Sequence, residues 1–413
     1  MTRRVLVTGM GIISSAGHGC KAFWESLTAG RSAVTPVEGF DTTDLGRNYA
    51  SEIKDFRPRD FLTAAEARRT GRCGAFTLAA ARMATVDARL GPASVPAGRL
   101  AVIIGTTMGE AKDIEGLEHA WIQKGREAVD AKIIARCGWS LLPIHVARSL
   151  GARGALLTLP GACAAGNYAI GLAADLIRTG RADVAIAGGV EIIQQLQFAG
   201  FARLGAIAPE RCQPFDKNRQ GLILGEGAAM LVLESEEHVI ERGADAVAEF
   251  GGYGLACDAY HITRPHPEGT GTVAATRRAL AEAGIDPHEV DFINAHGTGT
   301  HANDVIESKA TREVFGDRPV PMSSCKSMIG HTMGASSALE SVACVLTIKT
   351  GIYPPTIGYE VPDPECPVAV VANQARKGPA DIVVNNSLAF GGYDAVSIFA
   401  KVGRLPPPRR LAA

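Results

Sequence analysis

Residues 155–187 read ALLTLPGACAAGNYAIGLAADLIRTGRADVAIA, and this stretch sets the fold class. Its start, 155–159, is a short apolar run closed by Pro160-Gly161. Residues 167–178 then carry apolar side chains at 170, 173, 174 and 177, the spacing of one helix face. A second apolar run, 183–187, stops at Gly188-Gly189. Strand, helix and strand in that order predict a βαβ unit and a buried parallel sheet.

The same rhythm extends in both directions. Residues 5–7 and 100–104 read as strands before the βαβ unit. After it, 246–253, 290–294 and 382–386 read as strands, with helices over 272–283 and 336–349. Gly284 gives the first of these helices a usual C-terminal stop. Two stretches of similar grammar, 1–250 and 251–413, predict an internal duplication, although no strict sequence repeat joins them. The charged segment 56–72 reads as a solvent-facing helical region, and 404–413, with three prolines and three arginines, as a loose tail.

Bulk composition narrows the classes of function. The chain has 413 residues, long for one simple core. Hydrophobic residues make up 46% and charged residues 21%, an ordinary globular balance. A net charge of −1 gives no reason to expect nucleic acid or an anionic membrane as partner. The cysteine count is 9, and no two cysteines form a C-x-x-C pair, which argues against a zinc site or a disulfide framework and for a reducing cytoplasm. Met1–Val7 superficially looks like a signal peptide, but its apolar run breaks at Thr8-Gly9 without a clear cleavage site, so it reads as a first strand. No run of 18 apolar residues is present to span a membrane. Gly9-x-Gly11 could open a dinucleotide fingerprint, but Ser14 stands where its third glycine should be.

Three segments carry chemistry. Gly161–Gly166 places Cys163 on a small-residue turn after a strand and before a helix. The partial positive charge and free N–H groups of a helix N-terminus favour a thiolate and can hold an oxyanion. Asn294–Thr300 places His296 at a strand end, with the hydroxyls of Thr298 and Thr300 on the same loop. Lys326–His331 places His331 just before another helix. Each residue alone is as well explained by structure: a buried thiol, or a histidine capping a turn. Lys326 and Glu307 are opposite charges near these turns, and a buried ion pair between them would set the local field.

Taken together, these segments resemble the β-ketoacyl synthases, closest to the elongating synthase II group and its polyketide ketosynthase relatives. Further matching motifs span nearly the whole chain: Val5–Gly11, Pro214–Gly221 with Gly225-Glu226-Gly227, Asp258–Thr263, and Phe390-Gly391-Gly392. The resemblance implies an α/β, thiolase-like fold of two duplicated halves in a five-layered αβαβα core, usually dimeric. It implies that Cys163 accepts an acyl chain and that His296 and His331 promote decarboxylation of a malonyl thioester. The carbanion so formed would attack the acyl-Cys163 thioester, with the N–H groups of Cys163 and Phe390 as oxyanion hole. Lys326 with Glu307 would support the histidines, Phe390 would gate the pocket, Met108 and Phe390 would shape it, and Thr298 and Thr300 would contact the phosphopantetheine arm.

The resemblance further implies an acyl carrier protein as partner and no metal or organic cofactor beyond the arm that the carrier brings; Arg68, Arg69 and Arg72 are the candidates for holding the acidic carrier surface. The dimer would be a homodimer or a pair with a chain-length factor. A non-catalytic partner subunit and an acyl transferase that stops before elongation are the alternatives. Several positions depart from the family pattern: Leu388 for phenylalanine, Ala389 for glycine, Tyr393-Asp394 for Thr-Asn, and Gln213 for arginine.

Overall fold

The computed structural model describes residues 3–91 and 93–407. Its first half runs β1 (Val5–Ser14), α1 (Arg72–Asp87), β2 (Leu100–Thr106), α2 (Ala111–Lys124), α3 (Leu141–Leu150), β3 (Leu156–Pro160), α4 (Ala165–Arg178), β4 (Val184–Glu191), α5 (Gln195–Arg203) and β5 (Gly227–Ser235). The second runs β6 (Ala248–Cys257), α6 (Thr270–Ala283), β7 (Phe292–Asn294), α7 (His301–Phe315), β8 (Pro321–Ser323), α8 (Ser336–Thr350), β9 (Ile382–Ala389) and β10 (Tyr393–Ala400).

Strand order makes the repeat visible where sequence identity does not. From the middle of the sheet outward, the first half is ordered β1-β5-β4-β2-β3 and the second β6-β10-β9-β7-β8. Counted within its own half, each follows the same path. The two first strands meet antiparallel, with Leu6 opposite Glu249. The expectation of purely parallel sheet fails at β5 and β10, which run antiparallel to their neighbours. The turn from β9 to β10 spans only Phe390–Gly392, far too short for the crossover that a parallel neighbour requires.

Side-chain alternation then builds the layers. On β2, Ala101 and Ile103 pack toward α4 and α8, whereas Val102 and Ile104 pack toward α1 on the opposite face. In the second half Val384, Val396 and Ile398 pack under α6. Helices α4 and α8 lie buried between the two halves of the sheet, which requires small or apolar residues nearly all round. The result is α1, sheet, α4 with α8, sheet, α6: a thiolase-like αβαβα fold.

Glycines set how closely helix and strand approach. A Cβ on Gly11 would stand 2.0 Å from the Ala80 carbonyl of α1, and one on Gly254 1.9 Å from that of Ala275 on α6. Gly9-x-Gly11 is therefore a packing surface, not a nucleotide turn. In the 56–72 segment, Phe56 is buried and stacks on Phe61, so the segment is anchored on its inner side. The tail also begins attached: Leu405 joins the second-half core and its carbonyl accepts from Arg4. Residues 408–413 of that predicted tail lie outside the described residues. Among the described residues, no helix is long and apolar enough to cross a membrane.

Candidate active site

The two buried helices deliver the reactive groups. Cys163 sits on a 3-10 turn immediately before α4, and His331 on the turn leading into α8. Ala162 and Met333 occupy matching places in these turns, and both have φ 47°, a left-handed conformation that costs energy without glycine. Each half thus bends sharply at its central helix and aims one side chain at the other half. His331 Nε2 lies 3.1 Å from Cys163 Sγ. The His296 and His331 rings meet edge to face, with centroids 5.4 Å apart.

Both imidazole tautomers follow from fixed donors. The Met333 N–H donates to His331 Nδ1 at 3.1 Å, and Lys326 Nζ donates to His296 Nδ1 at 3.3 Å. An Nδ1 that accepts carries no proton, so each Nε2 carries one. Burial holds both rings well below the ordinary histidine value, reinforced by the charge of Lys326, so they are neutral donors.

Burial also decides the thiol. Cys163 is pushed up to about 12, although Lys326 and the backbone N–H groups of Phe390 and Cys163 act in the opposite direction. The expected resting thiolate is therefore corrected: desolvation outweighs the helix N-terminus, and the sulfur rests protonated. The same two N–H groups face the sulfur from adjoining turns, as an oxyanion hole requires.

A cavity of about 80 Å³ borders Cys163, His296, His331, Thr298, Thr300 and Phe390. Thr298 and Thr300 share a hydrogen bond of 2.8 Å. Phe390 stacks on Phe201 with ring centroids 5.6 Å apart, so its ring and the α5 surface close one wall together.

A Cys-His-His centre held by duplicated halves of this topology has close relatives among known proteins. The β-ketoacyl synthase N-terminal domain matches residues 2–238, and the C-terminal domain of the same name matches residues 247–360. The chain belongs to the β-ketoacyl synthase family. It is 38% identical to 3-oxoacyl-[acyl-carrier-protein] synthase 2 of Synechocystis sp., over 97% of this chain and 98% of that protein. Among solved structures, a chain of the ishigamide ketosynthase/chain length factor superposes with a TM-score of 0.95 at 44% identity, covering 98% of this chain and 100% of that one. A type II PKS ketosynthase assembly, solved with its acyl-carrier protein, gives 0.88 at 31% identity, covering 97% of this chain and 100% of that one. The activity is that of a ketosynthase, an acyltransferase.

Several expected partnerships in this synthase are rearranged. Lys326 does not pair with Glu307. It pairs with Glu340 of α8, and both side chains are 1% exposed. Glu307 instead accepts the N–H groups of His296 and Gly297, each at 2.7 Å, and so fixes the histidine turn through its backbone. Burial pushes Glu307 up to about 7. Glu340 was legible in principle: it is a lone acid in the first three turns of a buried small-residue helix, where a charge needs a partner.

Arg72 is likewise committed internally. It binds buried Glu226 and the Ile53 carbonyl and lies over Phe76, so it is not a free docking residue. Arg68 and Arg69 are exposed on a short helix. Met108 does not border the cavity; it is half-buried, with its backbone N–H on Glu191.

Two positioning acids escaped the sequence reading. Asp304 accepts from the N–H groups of Thr298, Gly299 and Phe215, and so joins the threonine loop to the 214–221 block. Glu191 accepts from Thr107, Met108 and Gly334, tying the first half to the turn that carries His331. The partners of Glu191, and the Phe215 N–H that Asp304 accepts, are distant in sequence and leave no local signal; the Thr298 and Gly299 N–H groups lie within six residues of Asp304 and could have pointed to it.

Proposed function

We propose that this synthase loads an acyl group from an acyl carrier protein onto Cys163 and extends it with a malonyl unit by decarboxylative condensation. The observation that carries this reading is the convergence of Cys163, His331 and His296 on one cavity beneath two backbone N–H groups.

In the loading step the Cys163 sulfur attacks the acyl thioester carbonyl. The Cys163 and Phe390 N–H groups hold the developing oxyanion. The carrier thiol leaves with the proton that Cys163 gives up. In the second step the Nε2–H groups of His296 and His331 donate to the malonyl thioester carbonyl. The malonyl carboxylate leaves as carbon dioxide, and the electron pair stays as an enolate under those two donors. That carbon attacks the acyl-Cys163 carbonyl, the C–S bond breaks, and the departing thiolate takes up one proton from water, the proton that the overall condensation consumes. Carbon dioxide release supplies the carbanion, so no metal or organic cofactor is needed. The donor atoms of Cys163, His296 and His331 do lie within 4.8 Å of one another. Their fixed tautomers argue against a metal there, because an Nε2 that carries a proton has no lone pair to give.

Carrier docking is assigned to Arg68 and Arg69, exposed cations suited to an acidic partner. A second ketosynthase-like chain, identical or a chain-length factor, is assigned to the β3 edge. There β3 pairs on one side only among the described residues, and its Leu157 is exposed, as are Trp121 and Ile122 on α2.

Intact mass spectrometry tests the reading, with acyl-carrier and then malonyl-carrier added. An acyl adduct absent in Cys163→Ala, followed by a β-ketoacyl product two carbons longer, is expected. The preferred chain then separates fatty-acid elongation from a polyketide pathway. An adduct without extension would mean acyl transfer only; no adduct would mean a non-catalytic partner subunit.

A further inference from the structure

We propose that Asp258 and Asp394 share one proton, and that this shared proton positions the Phe390 turn over Cys163. Both residues border the catalytic cavity. Their carboxylate oxygens crowd the same backbone position: a Cβ on Gly271 would stand 2.3 Å from Asp394 Oδ2 and 2.4 Å from Asp258 Oδ1. Among the described residues neither carboxylate forms an ion pair with Lys, Arg or His. Two carboxylates so placed, one of them 2% exposed, cannot both ionise without a large electrostatic cost.

No cation is among the groups that act on Asp394, although Arg264 borders the same cavity. Asp258 faces it from the loop after β6, Thr272 from α6, Glu307 from α7, and Tyr168 from α4. Among the described residues, Thr272 alone donates to it, over 3.4 Å. Asp258 is better served, accepting the His266 N–H at 2.8 Å and the Gly271 N–H at 3.2 Å. The shared proton therefore resides on Asp394, with Asp258 as acceptor. Burial and the neighbouring Asp258 carboxylate hold Asp394 well above the ordinary carboxylate value, in agreement with that assignment.

The pair sits where two loops are joined. The Asp258 N–H donates to the Gly392 carbonyl at 2.9 Å, and the Gly391 N–H to the Ile262 carbonyl at 2.7 Å. Asp394 lies opposite Leu388, two pairs from the turn of the β9–β10 hairpin, whose tip carries Phe390. A proton between the carboxyls fastens this hairpin to the 257–266 loop. Its loss sets two negative charges against each other directly behind the turn that supplies the Phe390 N–H. Asp394 is thus a positioning residue: it acts on the oxyanion hole through the hairpin.

Two measurements test this, and only the second rests on the Cys163 loading proposed above. The infrared difference between wild type and Asp394→Asn should contain the carbonyl stretch of one protonated carboxyl at neutral pH. Its absence would overturn the shared proton whatever the enzyme's substrate. The rate of Cys163 acylation should then be followed against pH as the ratio of wild type to D394N. An amide can still donate but does not titrate, so the ratio should be constant at low pH, whatever its value there, and fall about tenfold per pH unit beyond the loss of the proton. A ratio independent of pH would overturn the positioning role. If D394N melts too low to assay, D258N replaces it with a different reading. The carboxyl stays on Asp394, so its infrared band should shift rather than vanish, and acylation should lose its fall at high pH because Asp394 then ionises with no charge facing it. An unshifted band and an unchanged pH profile would overturn the pairing. If wild type fails to load at every pH, the loading reading fails, while the infrared band still decides the shared proton.

Discussion

Lys326 and Glu340 offer a perturbation that separates stability from chemistry. Both side chains are 1% exposed, and Glu340 Oε2 has no hydrogen-bond partner. Glu340→Gln leaves the Lys326 charge buried without its counter-ion, a loss of about 3–5 kcal/mol. Against a total of about 5–15 kcal/mol, that moves the urea midpoint far down. Replacing both members, as Lys326→Met with Glu340→Leu, removes the charges together and should restore much of the stability. Catalysis should not follow. Lys326 is the donor that keeps His296 Nδ1 an acceptor at 3.3 Å. Without it the ring proton is free to move to Nδ1, and Nε2 stops donating to the malonyl carbonyl. Losing one such donor lowers the rate about 10²–10³-fold. The assay is carbon dioxide release from a malonyl thioester, run beside urea unfolding. The double variant should be stable but slow. A stable double variant that decarboxylates at the wild-type rate would refute the tautomer argument.

Other expectations follow from burial and pairing. Alkylation of Cys163 by iodoacetamide should keep accelerating well above pH 9.0, the ordinary thiol value, because burial holds it at about 12; a plateau near neutrality would show that the helix N-terminus prevails. Glu307 is held at about 7 against an ordinary 4.5, so its share of stability is full below pH 4.5 and is lost as pH rises through 7. Glu307→Gln should flatten that part of the stability curve, and an unchanged slope in thermal melts would contradict it. Reversing Arg68 and Arg69 to glutamate should weaken carrier binding by about 0.2–1 kcal/mol per exposed contact. Arg72→Ala should leave that binding unchanged in titration calorimetry while lowering stability, because buried Glu226 loses its partner.

Much of the active site was legible because its chemistry is local. Cys163, His296 and His331 each lie on a turn whose flanking residues carry the signal within about seven positions. The fold class was legible for the same reason: the runs at 155–159 and 167–178 became β3 and α4 with small shifts at their ends, whereas the run at 183–187 became a longer β4 that continues through Gly188-Gly189 to Glu191. Elements without a clear period were missed. β5 is an apolar run equally compatible with a buried helix, and β10 is separated from β9 only by the Phe390–Gly392 turn.

What the sequence by itself determined is the set of reactive groups and the strand–helix grammar that carries them, since both depend on neighbouring residues. What only the tertiary structure decided is how those groups are paired and ionised. Lys326 found Glu340 rather than Glu307, Arg72 turned inward, and the thiol stayed protonated. Electrostatics acts through space and burial, and both arise only when the two halves close around α4 and α8.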